Sequence, residues 1–421
     1  MLFNEPSFLV QVGHQGDSLA TDAVKNGYAD GAILSPVDYK ITKNRRISRT
    51  ILEHNGTVLF DPQMYNPRFD DYEMNSYNYF FEYGGEDFET TILEDEDTRQ
   101  EFCEMVIIVQ NSLEVDGYIA PSRYLSSISE AGMRFWQDVT ETFLDVTRDE
   151  DNDKPVYASL PVNGESLEDS DNFTELLNWA TSVDVDGFYV SAEFDQYHQY
   201  PLTDTTNLTP FLKLLRTLRE NRYEVIVGHT HHVAHLLFGV GVNAFASGHN
   251  KNLRTFDTER WEDRDDGAGV TVIDYYSDEL LNDLRVYRPG FEDDSGTYSD
   301  LDLLEDNGFD LDSIRTGSPF EEDLFAGPGP ASESEWPQKD GSWNHYLWSC
   351  HQIAEQYRSD TLDDEMVETG DISPARLKRA QNRVEKAKEL YEEIDEEGIL
   401  LHTPVESIYA EWKDALEEIS S

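Results

Sequence analysis

Eight short, unbroken apolar runs in the first 290 residues constrain this chain more than any other feature. They are Phe8–Gly13, Gly31–Ser35, Thr57–Asp61, Gly117–Ala120, Pro155–Leu160, Gly187–Ser191, Glu224–Gly228 and Val242–Ser247. A strand buried on both faces of a parallel sheet reads as a continuous apolar run, whereas a half-exposed strand alternates. Between the runs lie longer amphipathic stretches. Residues 209–221, for example, set Phe211, Leu212, Leu215 and Leu218 on one face of a helix. Eight βα units in roughly 250 residues predict an α/β fold, a (β/α)8 TIM barrel, with a doubly wound open sheet as the alternative.

The barrel is expected over residues 1–290, with Val270–Asp274 as a possible extra strand. An acidic, Gly/Pro-rich linker should follow over 291–337, including Ala326–Pro330, and a helical region over 338–421. Three helices are expected there. The first carries Trp343, Leu347, Cys350, Ile353 and Tyr357 at helical spacing. Ser373 as N-cap, Pro374 at the first helical position and Gly398 as a stop bound the second. The third opens at the capping box Thr403–Glu406.

Lys and Arg number 32 against 86 Asp and Glu, a formal net charge of −54. Such charge suggests disorder only where core material is scarce, and 22 Tyr, 21 Phe and 7 Trp supply it here. Acidic blocks such as Leu93–Asp97 and Thr147–Asp153 are spread along the chain, a pattern that resembles proteins of salt-loving archaea. At 1 M salt the Debye length is about 3 Å, so self-repulsion is largely screened. No apolar run approaches the roughly 18 residues of a membrane span. Asn4, Glu5 and Pro6 interrupt the amino terminus before any signal-peptide core forms. Two cysteines, Cys103 and Cys350, exclude a disulfide scaffold and a four-cysteine zinc site. A cytoplasmic location is the expectation.

A barrel of this kind carries its chemistry at the carboxyl ends of its strands. Read in order, those ends offer His14 and Gln15, then Asp38, then Asp61 and Gln63, then Arg123. Asn163, Glu193, His229 with His231, and His249 with Asn250 complete the circuit. Asp61 and Glu193 suit an acid/base pair, with Asp38 as a further carboxylate. Amides such as Gln15, Gln63 and Asn163 suit a purine edge, and Phe60, Tyr65 and Tyr124 suit stacking walls. His229 and His231 sit two apart and, with Asp61, form a weak alternative metal set. Two basic clusters stand out. Lys40, Lys43, Arg45, Arg46 and Arg49 form a loop after the second strand, and Arg376, Arg379, Arg383 and Lys386 form a stripe on the second tail helix. Lys251 and Arg254, after the eighth strand, suit phosphate.

The order and spacing of these segments resemble the queuine/archaeosine tRNA-guanine transglycosylase superfamily over most of residues 8–256. Val12–Gly16 is similar to the family's Val-Gly-Thr-Gln-Gly, and Phe60–Asp61 falls at its Asp-Ser-Gly-Gly-Phe-Gln segment. Val156–Gly164, Asp186–Glu193, Val227–Thr230, Gly241–Ala246 and Lys251–Arg254 follow the family's later motifs in order. The resemblance implies base exchange of guanine or a 7-deazaguanine in DNA or tRNA, closest in character to the DNA-acting branch. It implies no cofactor, and nucleic acid as partner. The family's nucleophilic aspartate falls at Ala246, and its three-cysteine zinc site is absent. Two other readings stand beside it: a catalytically silent barrel that binds nucleic acid or protein, and a metal-dependent hydrolase. The tail helices could carry a homodimer or partner contact.

Overall fold

The computed structural model describes residues 1–68, 73–85, 90–149, 153–194, 205–230, 232–262, 273–287, 292–293, 296–297, 299–325, 337–358, 373–402 and 406–420. All eight expected strands form: β1 Ser7–Gln11, β2 Gly31–Leu34, β3 Thr57–Phe60, β4 Tyr118–Ile119, β5 Val156–Asn163, β6 Gly187–Glu193, β7 Glu224–Val227 and β8 Ala244–Ser247. They make one parallel sheet in the order β3-β2-β1-β8-β7-β6-β5-β4. The Asp116 N–H donates to Val58 O at 2.8 Å, and the Asp116 carboxylate accepts from Val58 N–H, which draws β4 to β3. The sheet therefore rolls into a nearly closed (β/α)8 barrel and not an open doubly wound sheet.

The helices are α1 Asp17–Lys25, α2 Ile41–Glu53, α3 Asn78–Tyr83, α4 Glu96–Ser112, α5 Glu130–Asp149, α6 Ser170–Ala180, α7 Thr205–Glu220, α8 Ala234–Gly239, α9 Asp300–Asp306, α10 Glu321–Leu324, α11 Pro337–Arg358, α12 Pro374–Glu396 and α13 Glu406–Ser420. Strand alternation divides the core in two. Phe8 and Val10 face outward into the layer shared with the helices, while Leu9, Ile33, Leu59, Ile119, Tyr157, Tyr189, Ile226, Ala244 and Ala246 fill the interior. Two tyrosine rings crossing so narrow a space need small neighbours. A Cβ on Gly228 would meet Tyr189 Oη at 2.3 Å.

Below this layer the amino terminus plugs the barrel. Buried Glu224 accepts from Leu2 N–H at 2.7 Å and from Tyr157 Oη at 2.6 Å. At the outer wall, no helix of ordinary length follows β8 among the described residues before residue 273. An antiparallel hairpin, β9 Ile273–Ser277 with β10 Asn282–Tyr287, intervenes. The wall is completed by α11, which packs on β1, α1, α8 and β9. Tyr346 Oη meets Ser247 Oγ at 2.9 Å, and Arg358 pairs with Asp30 at 2.5 Å. Outside it, α12 packs on α8 and α13 on α7.

Several local expectations change. Ser373 stands at the N-cap of α12 but makes no side-chain capping bond, so Pro374 marks that start. Thr403–Val405, Ala326–Pro330 and Val270–Thr271–Val272 lie outside the described residues. The basic stretch after β2 is no loop. It is α2, which buries Asn44, Ile47, Ser48 and Ile51 at helical spacing. No described helix is long and apolar enough to cross a membrane.

Gly228→Ala should cost about 1–3 kcal/mol through overpacking against Tyr189. Denaturant unfolding measures it, and an unchanged midpoint would show that the ring has room to move.

Candidate functional site at the barrel mouth

Toward the carboxyl ends the interior changes character. Above the apolar layer the inward positions become Gln11, Ser35, Asp61, Ser159 and Ser191, all buried. Asp61 is the centre of this polar layer. Its N–H still pairs with Leu34 O at 3.1 Å, so the β3 register fixes it, and it is 1% exposed. Tyr65 Oη donates to one carboxylate oxygen at 2.8 Å, and Gln63 N–H donates to the other at 3.0 Å. Burial raises the Asp61 carboxyl to about 6, against the opposing pull of Tyr65, Gln63 and the Arg260 charge. Through its bond to Gln63 N–H, Asp61 also closes the turn that contains Pro62. Tyr189 lies against it and against Gln11, at 3.4 Å.

A strap, residues 256–262, crosses the mouth. It touches the ends of five strands. Glu193, closing β6, accepts from Thr258 N–H at 2.7 Å and Thr258 Oγ1 at 2.6 Å. Arg260 pairs with Asp38 beyond β2, and Asn66 beyond β3 donates to Trp261 O at 2.8 Å. The Trp261 ring lies 4.8 Å from Tyr65 and 6.3 Å from His229, and Phe256 lies 6.1 Å from Tyr124 beyond β4. These contacts seal Asp61 beneath the strap.

The left-handed backbone region also marks the mouth. Gln15, Gln63 and His229, following β1, β3 and β7, have φ of 60°, 52° and 54°. Non-glycine residues rarely hold that conformation, and it concentrates at ligand sites.

The predicted residues divide. Asp61, Gln63, Tyr65 and His229 come together. Asp38 and Glu193, expected as acid or base, instead anchor the strap, and Asp38 also accepts from His14 N–H at 2.9 Å. His14 and Gln15 are exposed, and Gln15 Oε1 accepts from Lys339 at 3.4 Å. Asn163 caps the turn Gly164–Leu167 by accepting from Glu165 N–H at 2.8 Å. Arg123 lies 3.8 Å from the Phe135 ring centre, beside an apolar cavity lined by Met64, Leu93 and Val139. Burial lowers its guanidinium to about 10. Burial likewise lowers His229 and His249 to about 3 each, with Arg260 and Arg254 respectively adding to the effect. His249 packs 4.6 Å from Trp343, and Asn250 precedes a short turn without capping it. Phe60 is no wall of the mouth, because it faces outward and stacks on Tyr77 at 5.6 Å. His231 lies outside the described residues. Among the described residues no three His, Cys, Asp or Glu side chains are grouped to hold a metal.

Many of the basic groups meet carboxylates or polar groups of the chain itself. Lys43 pairs with Asp17, Arg46 lies 3.7 Å from the same carboxylate, and Arg45 donates to Ser112 at 3.3 Å. Arg49 is exposed, and Lys40 immediately precedes α2. Lys251 pairs with Asp274 at 2.6 Å, while Arg254 donates to Gly248 O and His249 O and covers the Tyr346 ring at 3.3 Å. Both hold the β9–β10 hairpin and α11 to the barrel. On α12, Arg383 pairs with Glu279 at 2.9 Å, and Lys388 with Glu392 at 3.3 Å.

Sequence reasoning missed Tyr189, Thr258, Arg260 and Trp261. Alternation along Gly187–Glu193 could have placed Tyr189 and Ser191 inward with Glu193. No local pattern ties the strap to the mouth.

No protein-family model and no curated protein matches the chain. Solved structures that it resembles include dihydrodipicolinate synthase from Oceanobacillus iheyensis, at 13% identity and TM-score 0.31 over 94% of this chain and 97% of that one. N-acetylneuraminate lyase from Mycoplasma synoviae matches at 12% and 0.31 over 58% and 69%. A 2,3-dimethylmalate lyase matches at 10% and 0.33 over 58% and 76%. The likeness to the tRNA-guanine transglycosylases is not upheld, since neither a model of that family nor a curated member of it matches the chain. The position matched to that family's nucleophile, Ala246, is a buried wall residue whose carbonyl accepts from Thr230 N–H at 2.9 Å.

Because folding raises the Asp61 pKa above its unfolded value of 3.8, the native state holds the extra proton between about pH 4 and 6. Its burial therefore weighs against stability once pH rises through about 6. Asp61→Asn should stabilise the protein above pH 6, on the order of 1–3 kcal/mol, and the gain should fade below pH 4. Thermal unfolding across that range checks it, and a pH-independent difference would contradict the assignment.

Proposed function

We propose that the barrel mouth is an acid–base site for a small polar substrate, with Asp61 as the group that carries the proton. The observation that supports this most is the carboxyl itself. It is held by Tyr65 and Gln63 at the inner end of a covered polar layer, with an affinity for protons raised to about 6. A carboxyl so placed exchanges a proton near neutral pH, as a general acid or base requires. Tyr189 and Tyr65 flank it, and both hydroxyls stay protonated because burial pushes them far above their ordinary range. The Tyr65 hydroxyl hydrogen is committed to Asp61, whereas that of Tyr189, 3.4 Å from Gln11 Oε1, is placed to turn to an oxygen that gains charge during the reaction.

The strap selects for size. A base attached to a polynucleotide would need residues 256–262 to leave the mouth with its backbone, whereas a small molecule needs only a transient opening. Proton transfer at carbon, as in enolisation or elimination, suits a site sheltered from water in this way.

The test is deuterium incorporation from heavy water into a panel of small oxo and hydroxy compounds, followed by NMR. At least one compound should exchange, at a rate that rises with pH through about 6 as Asp61 becomes the carboxylate base. Asp61→Asn should slow it by about 10²–10⁴-fold. Exchange at the parent rate in that variant would remove Asp61 from the chemistry.

A further inference from the structure

The strap brings more hydrogen-bond donors to the mouth than its neighbours use. Arg260 is 8% exposed and engages Asp38 through Nη2, yet its Nη1 is buried without a partner. Trp261 is 1% exposed, and its indole N–H is likewise buried without an acceptor. The guanidinium carbon lies 5.8 Å from the indole ring centre. Arg260 is held at the mouth by Asp38, and its neighbour Trp261 lies 4.8 Å from the Tyr65 ring whose hydroxyl holds Asp61; the Arg260 charge is felt at Asp61, Tyr189 and His229. Buried N–H groups without acceptors are costly, and proteins keep few of them without a use. Two such donors on consecutive residues, one of them on a planar cation, are complementary to an oxygen-rich anion.

We propose that Arg260 Nη1 and Trp261 Nε1 form an oxyanion-binding subsite in the strap, which takes the carboxylate or phosphate group of the ligand above Asp61. The inference rests on reading the mouth as a ligand site, and it deepens that reading by naming the ligand's charge. It also assigns the strap a role, since closing the strap brings both donors onto the anion. Asp38 acts here as a positioning residue that orients the guanidinium through its other nitrogen.

Isothermal titration of the full chain tests this, with inorganic phosphate, malonate and neutral glycerol as probes at one ionic strength. Phosphate or malonate should bind measurably and glycerol should not, and which anion binds more tightly decides between phosphate and carboxylate. Trp261→Phe keeps the ring and removes the donor, so it should weaken binding several-fold. Arg260→Gln should weaken it at least tenfold. Should Arg260→Gln unfold for want of its Asp38 partner, Trp261→Phe decides alone. Anions that bind no better than glycerol, or a Trp261→Phe variant with the parent affinity, would overturn the subsite. Anion binding without deuterium exchange on any compound would sink the acid–base reading and keep the subsite. Exchange on a neutral compound without anion affinity would do the reverse.

Discussion

A carboxyl group that is 1% exposed must be neutral or compensated, and the upper half of this barrel is organised around that requirement at Asp61. Tyr65 and Gln63 satisfy its oxygens, Tyr189 fills the space beside it, and Gly228 leaves room for that ring. Arg260 contributes positive charge from above but is bound to Asp38, so its compensation is partial, and the proton affinity stays raised. A better neutralised aspartate would be more stable and chemically inert. The arrangement gives up some stability for a group that ionises near neutral pH.

The strands were legible because burial on both faces leaves a local mark: Phe8–Gly13 and Glu224–Gly228 contain almost nothing else that could pair and stay buried. Asp61 was legible for a related reason, as an acidic residue ending an apolar run. The strap was not. Thr258, Arg260 and Trp261 matter through Glu193, Asp38 and Tyr65, residues far away in sequence, and no periodicity records such contacts. For the same reason nothing in the sequence foretold that Asp38 and Glu193, on the rim as expected, meet the strap. Lys251 and Arg254 had the composition of a phosphate site, yet Asp274 and Asp283 of the hairpin claim them. The transglycosylase likeness failed on similar grounds. Apolar runs that end in Gly, Asn or His answer to the demands of any barrel rim, so their order carries little family information.

The acidity takes on a structural meaning in this light. With 86 carboxylates for 32 basic groups, many of the described cations pair with a carboxylate of the chain, and several pair with two. Lys251 lies between Asp274 and Asp283, and Arg383 between Asp278 and Glu279. The first set fastens the hairpin to the barrel, and the second fastens α12 to the turn of the hairpin. Exposed pairs of this type contribute little each. The buried ones matter more, because removal of one member leaves its partner stranded.

The helix that completes the outer wall, α11, comes long after the strand it covers. During synthesis the eight staves can emerge and begin to curl while the seam beside β1 and β8 is still bare. Only when Pro337–Arg358 has cleared the ribosome does that seam gain its cover, through Tyr346 on Ser247 and Arg358 on Asp30. The strap and the hairpin lie on the intervening stretch, and every partner of the strap precedes it in the chain, so the roof of the mouth leaves the ribosome before the last piece of its wall.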